Sequence, residues 1–548
     1  MKTTKLLTFF ILLLSTSVSL YAQNWLWAKS GDYTKTAGAS MVIVNTNENI
    51  YCLGGFDSCV TFDVNTITGW NDPQGGNGFI AEYSSAGNFI RLGRISKNTL
   101  QSGFSTVNLN HDYEGNIYVN GDMDGGNTFD TIHTGSNYDG YIAAFDSNLH
   151  GLNVKKAASV IYSTAFDNEK NTYLAGTIDR TIDHIDTFSL YNDNSDPFFH
   201  PKMFLAKLDS AQKCVWVKQN YGATSSVQSI SLSNGNLYMI GYADSCIQFD
   251  TAHICAIGGN DVGFLVDLNM NGNIKWAHPY LSTTTYFHSI STDQIGNCYV
   301  AGGYNDSITL GSYTIYKTPG SKSNSFIAKY DSTGQIIWAT AIRSDSLIYI
   351  ADQSSDETGN TYIFGNFKKD AIFGNDTIDA QSNNDMFIAR YASNGSLLGY
   401  KIISNVIGKS ITQDADGNAI VTGILSTGTT YFDSIPLTCT GQSNFFLAKL
   451  EAITGGANSV RMMRLDDRLV IYANPNTGSF TIEVPQGIVR GNRAQLGIYN
   501  STGGVVKDEP VDISNNRLSI DIGSVQKGIY SVTLSSGQKR YTGRVVVE

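Results

Sequence analysis

Asp293-Gln294-Ile295-Gly296-Asn297-Cys298-Tyr299-Val300-Ala301-Gly302 is a turn followed by a strand. Gly supplies the positive φ of the turn, Asp accepts a local backbone bond, and the apolar run with its aromatic is a buried strand. The spacing predicts strands over 289–292 and 298–303 around this turn. The phrase recurs through most of the chain. Counted by its Asn, copies fall at Asn49, Asn116, Asn171, Asn236, Asn297, Asn360 and Asn418, at intervals of 67, 55, 65, 61, 63 and 58 residues. The fourth copy shortens the turn to Asn234-Gly235, the strongest two-residue hairpin signal, and such a deletion suits a turn better than an ion-binding loop.

A second phrase runs in step with the first. It is an aromatic followed by two apolar residues, as in Phe326-Ile327-Ala328-Lys329-Tyr330-Asp331, and starts at Phe79, Tyr141, Phe204, Phe264, Phe326, Phe387 and Phe446. A third follows at a fixed offset: Trp216, Trp276 and Trp338 each stand 12 residues after the aromatic of their copy. After the last copy this Trp strand is missing, because the chain beyond Leu450 runs into Thr454-Gly455-Gly456-Ala457-Asn458. Its counterpart lies at the other end, where Trp27-Ala28-Lys29 precedes Asn49 by 22 residues, as Trp338-Ala339-Thr340 precedes Asn360.

A ring of sheets made from one chain must be closed, so the strand around Trp25 to Lys29 is expected to complete the unit that begins at Ser410 and ends at Leu450. A period near 60 residues suits a blade of about four strands, whereas solenoid repeats run to about 20 to 45. The expected fold is all-β: a seven-bladed β-propeller over residues 23–455, closed by an N-terminal strand, then a linker over 456–467 and a small β-sandwich over 468–548. The run Gly-Asn-x-Tyr-x-x-Gly, then Phe-Ile-Ala-Lys-Tyr-Asp, then Gly-x-x-x-Trp, between Trp25 and Leu450, is similar to the SBBP beta-propeller repeat of secreted bacterial proteins. The sequence departs from that pattern at Ala419-Ile420, where Tyr drops out, and at Arg91, Asn153 and Gly399, which replace the Trp. The resemblance implies a fold and an extracellular setting and carries no single activity.

Composition agrees with a turn-dense β protein: 54 Gly, 30 Tyr and 26 Phe among 548 residues, of which 16% are charged. The net charge of -11 and the lack of a basic stripe argue against a nucleic-acid partner. Met1-Lys2-Thr3-Thr4-Lys5, an apolar stretch from Leu6 to Leu14 and the small-residue site Leu20-Tyr21-Ala22 predict a signal peptide over 1–22, cleaved between Ala22 and Gln23. No later stretch holds 18 continuous apolar residues, so no membrane-spanning helix is expected. Seven cysteines exclude a complete intramolecular framework. Cys246 and Cys255 are symmetric about Asp250-Thr251, so a two-residue turn would set them opposite each other, either as a disulfide or as two small buried side chains.

The last 80 or so residues alternate in short strands over 469–472, 479–484, 495–499, 518–522, 530–534 and 541–547. Asn474-Pro475 with Gly478, Ile498-Tyr499 leading to Gly503, and Gly528-Ile529-Tyr530 resemble the type A C-terminal sorting domain of the type IX (Por) secretion system, with Ala473 where that family has Pro. The resemblance implies a Bacteroidetes-type source, the type IX machinery as partner, export across the outer membrane, removal of the domain, and release or attachment at the surface.

Candidate chemistry is sparse. Asp122-Met123-Asp124-Gly125-Gly126-Asn127 and Asp414-Ala415-Asp416-Gly417-Asn418 lack the bidentate Glu of a calcium loop and read as turns, so no metal or other cofactor is expected. The chain has no His-Glu-x-x-His, no Gly-x-Ser-x-Gly and no phosphate-binding Gly-x-x-x-x-Gly-Lys, and its eight His lack ligand spacing. Trp216, Trp276 and Trp338 stand at one equivalent place, which suits packing between repeats better than ligand stacking. Departures from the repeat are the better binding candidates: Trp70 in one loop, and Tyr191, Phe198 and Phe199 in the insertion 191–200. The pairs Asp130-Thr131, Asp250-Thr251, Asp306-Ser307, Asp345-Ser346, Asp376-Thr377 and Asp433-Ser434 resemble O-glycosylation acceptors of Bacteroidetes secreted proteins and read equally as hairpin turns. The expected function is a secreted or surface module that binds a glycan or an extracellular protein and is not an enzyme. The alternative is a polysaccharide hydrolase or lyase using loop carboxylates.

Overall fold

The computed structural model describes residues 24–33, 37–57, 59–62, 65–69, 77–97, 103–135, 139–193, 200–255, 262–281, 285–374, 376–455, 469–484, 488, 493–500, 505–523, 525–536 and 539–548. The signal segment with its Ala22 to Gln23 cleavage point and the linker 456–467 lie outside them, as do Trp70, Phe198 and Phe199. Among the described residues every regular element is a strand. The chain divides into two compact units, residues 1–460 and 461–548.

In the first unit each copy of the repeated phrases folds into one antiparallel four-stranded meander. The fifth is typical: Thr285–Thr292, Cys298–Tyr304, Asn324–Tyr330 and Ile336–Ile342, paired in that order. The seventh is assembled from both ends of the repeat region. Its strands Val406–Gln413, Ala419–Phe432 and Ile435–Leu450 are joined by Trp25–Ser30, with Trp25 opposite Leu450 and Ser30 opposite Phe446.

The repeated phrases are explained by the packing inside each meander. The phrase-ending Gly lies beneath the aromatic of the third strand: a Cβ on Gly54 would sit 2.3 Å from the Phe79 ring and 2.4 Å from the Gly38 carbonyl oxygen. Asp293 holds its turn by accepting from the Asn297 backbone N–H at 2.8 Å, the Asn297 side chain at 2.6 Å and the Tyr299 hydroxyl at 3.1 Å. The Asp, Asn and Tyr of the phrase are therefore one hydrogen-bonded unit, repeated at Asp112, Asn116 and Tyr118 and at Asp167, Asn171 and Tyr173.

Successive meanders pack face to face, which buries both faces of the middle strands and makes them read as continuous apolar runs. Tyr238, Ile240 and Leu265 of the fourth share a core cluster with Val300, Phe326 and Ala328 of the fifth. Ile420, Phe445 and Leu447 of the seventh share one with Cys52, Phe79 and Ala81 of the first. The fourth-strand Trp packs on the positive-φ Gly of the next repeat's turn: Trp216 on Gly272, Trp276 on Gly334, Trp338 on Gly395, and Trp27 on Gly87.

First strands also touch in order. Ala37–Val44 lies against Gly103–His111, then come Val160–Phe166, Ser225–Ser233, Thr285–Thr292, Leu347–Ser355 and Val406–Gln413, and the last lies against Ala37–Val44. Side chains stitch these contacts. Asp352 accepts from Ser289 Oγ at 3.1 Å on one side and from Ser410 Oγ at 2.8 Å and the Ile411 backbone N–H at 3.0 Å on the other.

The second unit is two sheets over a shared core that includes Phe480, Ile482, Leu496, Ile498, Val532 and Leu534. One sheet is Val470–Tyr472, Ser479–Glu483 and Arg517–Asp521; the other is Val505–Asp512, Arg493–Tyr499, Gly528–Ser536 and Lys539–Val547. The six-strand expectation is corrected by Val505–Asp512. This strand is mostly exposed and carries Pro510 and several charges, which only a sheet edge tolerates.

Candidate functional site

Between the second and third strands the repeats extend a short hairpin, such as Ile182–Ile185 with Phe188–Tyr191, Ile247–Phe249 with Ala252–Ile254, and Ser307–Leu310 with Tyr313–Tyr316. Connectivity puts these hairpins at the same end of the sheets as the links from each fourth strand to the next first strand. Tyr191 is 55% exposed, and its backbone exchanges hydrogen bonds with the Gln219 side chain. Tyr316, which the sequence did not single out, occupies the same register and is 70% exposed. In the fourth repeat that register holds Cys246 and Cys255, which are joined as a disulfide across the hairpin.

In three of the six Asp-Ser/Thr pairs the Asp is a turn residue, whereas Asp376 begins the strand Asp376–Asp379 and Asp306 and Asp345 lie in bends. Asp130, Asp250 and Asp433 stand at hairpin tips with φ of 54°, 50° and 54°. The Asp433 carboxylate accepts from the Trp25 backbone N–H at 3.0 Å and pairs with Lys401 at 2.7 Å. The neighbouring Thr131, Thr251 and Ser434 are exposed. Asp414, in one of the acidic loops, accepts from the backbone N–H groups of Asp416 and Asn418, receives the Asn418 side chain and pairs with Lys449 at 2.7 Å. Those contacts hold its carboxyl below the usual range despite burial, and its oxygens are committed to the turn. No group of three or more His, Cys, Asp or Glu that could hold a metal occurs among the described residues.

At the hairpin end a cleft of about 560 Å³ opens where the sixth repeat meets the seventh, lined by Gln381, Ser382, Asn383, Asn384, Asn405 and Ser426 with Ala380. Its lining is neutral carboxamide and hydroxyl, each able to donate and accept. Asp385 lies buried beneath it and collects the Gln381 backbone N–H at 2.6 Å, Ser382 Oγ at 2.5 Å and Ser404 Oγ at 3.1 Å. The same place, two residues before the aromatic of the second phrase, holds Asn in other repeats. Asn77 and Asn324 fasten the equivalent loops by donating to Asp57 O at 3.1 Å and Ser344 O at 3.2 Å. Asp385 is thus the loop organiser of its repeat, and its carboxylate is spent inside the protein. That repeated Asn or Asp was the one signal in the sequence that could have located the cleft.

In the second unit, the Asn474 side chain donates to Arg544 O at 3.0 Å and accepts from the Val546 backbone N–H at 2.8 Å, while Asn476 Oδ1 accepts from the Gly478 backbone N–H at 2.7 Å. The Asn-Pro-Asn-Thr-Gly motif therefore ties the start of the unit to its last strand. Residues 470–548 match the family described as "Secretion system C-terminal sorting domain". The second unit is a type IX sorting domain. A sorting domain marks its protein for secretion or attachment at the cell surface and implies engagement with the type IX machinery. No helix among the described residues is long and apolar enough to cross a membrane.

No curated protein matches the chain. Among solved structures, the Dos1 propeller aligns at 8% identity over 79% of this chain and 96% of its own, with a TM-score of 0.39. A DUF4221 family member from Bacteroides vulgatus aligns at 9% identity over 64% and 93%, with a TM-score of 0.30. Phage phi92 endosialidase aligns at 9% identity over 95% and 87%, with a TM-score of 0.35. The strand pairing described above defines the architecture independently of these.

Proposed function

We propose that the first unit is a seven-bladed propeller closed through Trp25–Ser30, and that it works as a non-enzymatic binding or adhesion module delivered to the cell surface by its sorting domain. The ring reading is supported by the cyclic order of first-strand contacts and by Trp27, which joins the seventh sheet to the first as Trp276 joins the fourth to the fifth. It is supported also by the resemblance of the repeats to SBBP propeller repeats.

The ligand is a hydroxyl-rich polymer, in the first place a polysaccharide. The observation that carries this is the chemistry of the cleft above Asp385: a neutral lining of amides and hydroxyls matches the mixed donors and acceptors of sugar hydroxyls, while the acid beneath is already saturated. The exposed Tyr191 and Tyr316 add aromatic faces at the same end of the sheets.

The test is a polysaccharide pulldown and glycan array with the natively secreted protein, with every bound polysaccharide checked for chain shortening. Retention without shortening, lost in Gln381→Ala/Asn384→Ala, is the expected result. Shortening of any substrate would replace the binding module with a hydrolase or lyase.

A further inference from the structure

At three of the junctions an ion pair clamps neighbouring repeats at their outer edge. Lys155 meets Asp186 at 2.7 Å, Lys218 meets Asp250 at 2.8 Å and Lys401 meets Asp433 at 2.7 Å. In each case the Lys lies on a fourth strand and the Asp at the tip of the next repeat's hairpin. Between the fourth and fifth repeats both partners are replaced. His278, two residues after Trp276, stands where Lys218 stands after Trp216, and Gly311, with φ of 58°, occupies the hairpin tip.

The lost clamp leaves a crevice of about 280 Å³ whose lining includes His278, Tyr280, Tyr330, Gly311 and Ile336. Its polar groups find little in the rest of the protein. The hydroxyls of Tyr280 and Tyr330, residues only 3% and 2% exposed, have no partner beyond each other. His278 Nε2 lies 2.8 Å from the Gly334 carbonyl oxygen and so carries the donated hydrogen, which leaves Nδ1 as an acceptor. The three rings face one another with centroids 6.1 to 6.3 Å apart. Two buried hydroxyls that can share only one hydrogen bond between them leave donor and acceptor capacity unmet, which marks a place where a ligand's polar groups are needed.

We propose that this crevice is a binding site for a single sugar ring, separate from the amide cleft of the sixth and seventh repeats. The ring's hydroxyls satisfy the two phenols and the imidazole Nδ1, and its C–H face lies on the aromatic wall. The volume is near the lower end for small-molecule sites and admits one ring rather than a chain.

Saturation-transfer NMR of the secreted full chain, with the methyl glycosides of glucose, galactose, mannose and N-acetylglucosamine added singly, tests it. At least one glycoside binds with Kd on the order of 1 mM. Tyr280→Phe/Tyr330→Phe, which removes only the two hydroxyls, weakens binding tenfold or more with an unchanged melting temperature. His278→Lys/Gly311→Asp/Ile336→Ala rebuilds the clamp, the last change making room because a Cβ at Gly311 would lie 2.7 Å from Ile336 Cγ2. It abolishes binding while polysaccharide retention through Gln381 and Asn384 persists. Absence of binding by all four glycosides overturns the proposal, as does binding that the tyrosine double variant leaves undiminished. Neither result touches the amide cleft, whose own variant reads separately.

Discussion

Asp267 shows what one residue does when the repeat is broken around it. In the third, fifth, sixth and seventh repeats the corresponding place holds a cation, Lys207, Lys329, Arg390 or Lys449, that pairs with the turn Asp. The fourth repeat has lost that Asp to the short Asn234-Gly235 turn and carries an acid in the cation's place. Asp267 is fully buried and neither carboxylate oxygen has a partner; burial pushes its pKa up to about 7, with Lys275 opposing. The fold therefore binds a proton more tightly than the unfolded chain does. Its contribution is fully present below about pH 4 and is lost as pH rises through about 7. Asp267→Asn cannot ionise, so urea unfolding is expected to show it more stable than the wild type at pH 8 by about 4 kcal/mol, and little different at pH 4. Equal stability at both values would mean that Asp267 is solvated in the native state. At this scale the sequence was a poor guide: the short Asn234-Gly235 turn is legible, but that the residue at the place of Asp267 pairs with the turn Asp in other repeats is seen only in space.

At the scale of elements, the fourth strand and the hairpin join repeat to repeat. Trp338 is 8% exposed, packs on Gly395 and donates from Nε1 to Ser393 O at 3.0 Å. Trp338→Ala is expected to destabilise by about 3 kcal/mol, and the half-buried Trp216→Ala by less, both measured by denaturant unfolding. The Cys246–Cys255 bridge closes a loop confined to one hairpin, so Cys246→Ser/Cys255→Ser acts locally. It opens that hairpin to proteolysis and costs roughly 2 kcal/mol at most, checked by limited digestion with mass spectrometry. The symmetric spacing about Asp250-Thr251 made this hairpin legible. Strand Val505–Asp512 was not, because an edge strand escapes the alternation and proline rules by which buried strands are recognised.

For the whole molecule, Trp25–Ser30 matters more than its length suggests. Without it, Phe446 to Leu450 would present an unpaired edge. A secreted chain lacking residues 23–30 is expected to lose its single cooperative melting transition and to associate, seen by calorimetry and light scattering. A monomer with unchanged melting would remove the closing role proposed for that strand. At the other end, deletion of residues 470–548 is expected to abolish appearance of the protein outside the cell, leaving it in the periplasmic fraction, because the sorting domain is the part that the secretion machinery engages.

The sequence by itself determined the all-β class, the rhythm of the repeats, the sorting domain and the return of the strand around Trp25 to Lys29 to the unit that runs from Ser410 to Leu450. These are legible because each rests on spacing along the chain: a turn needs its Gly and Asp a few residues apart, and the displaced Trp strand keeps its 22-residue offset. Only the tertiary structure decided where the openings are. The amide cleft draws on residues 380–384, 405 and 426, and the aromatic crevice on residues 278–280, 309–311 and 330–336. Such sites exist where neighbouring sheets fail to fill the space between them, a property of two faces meeting that no single strand's pattern contains.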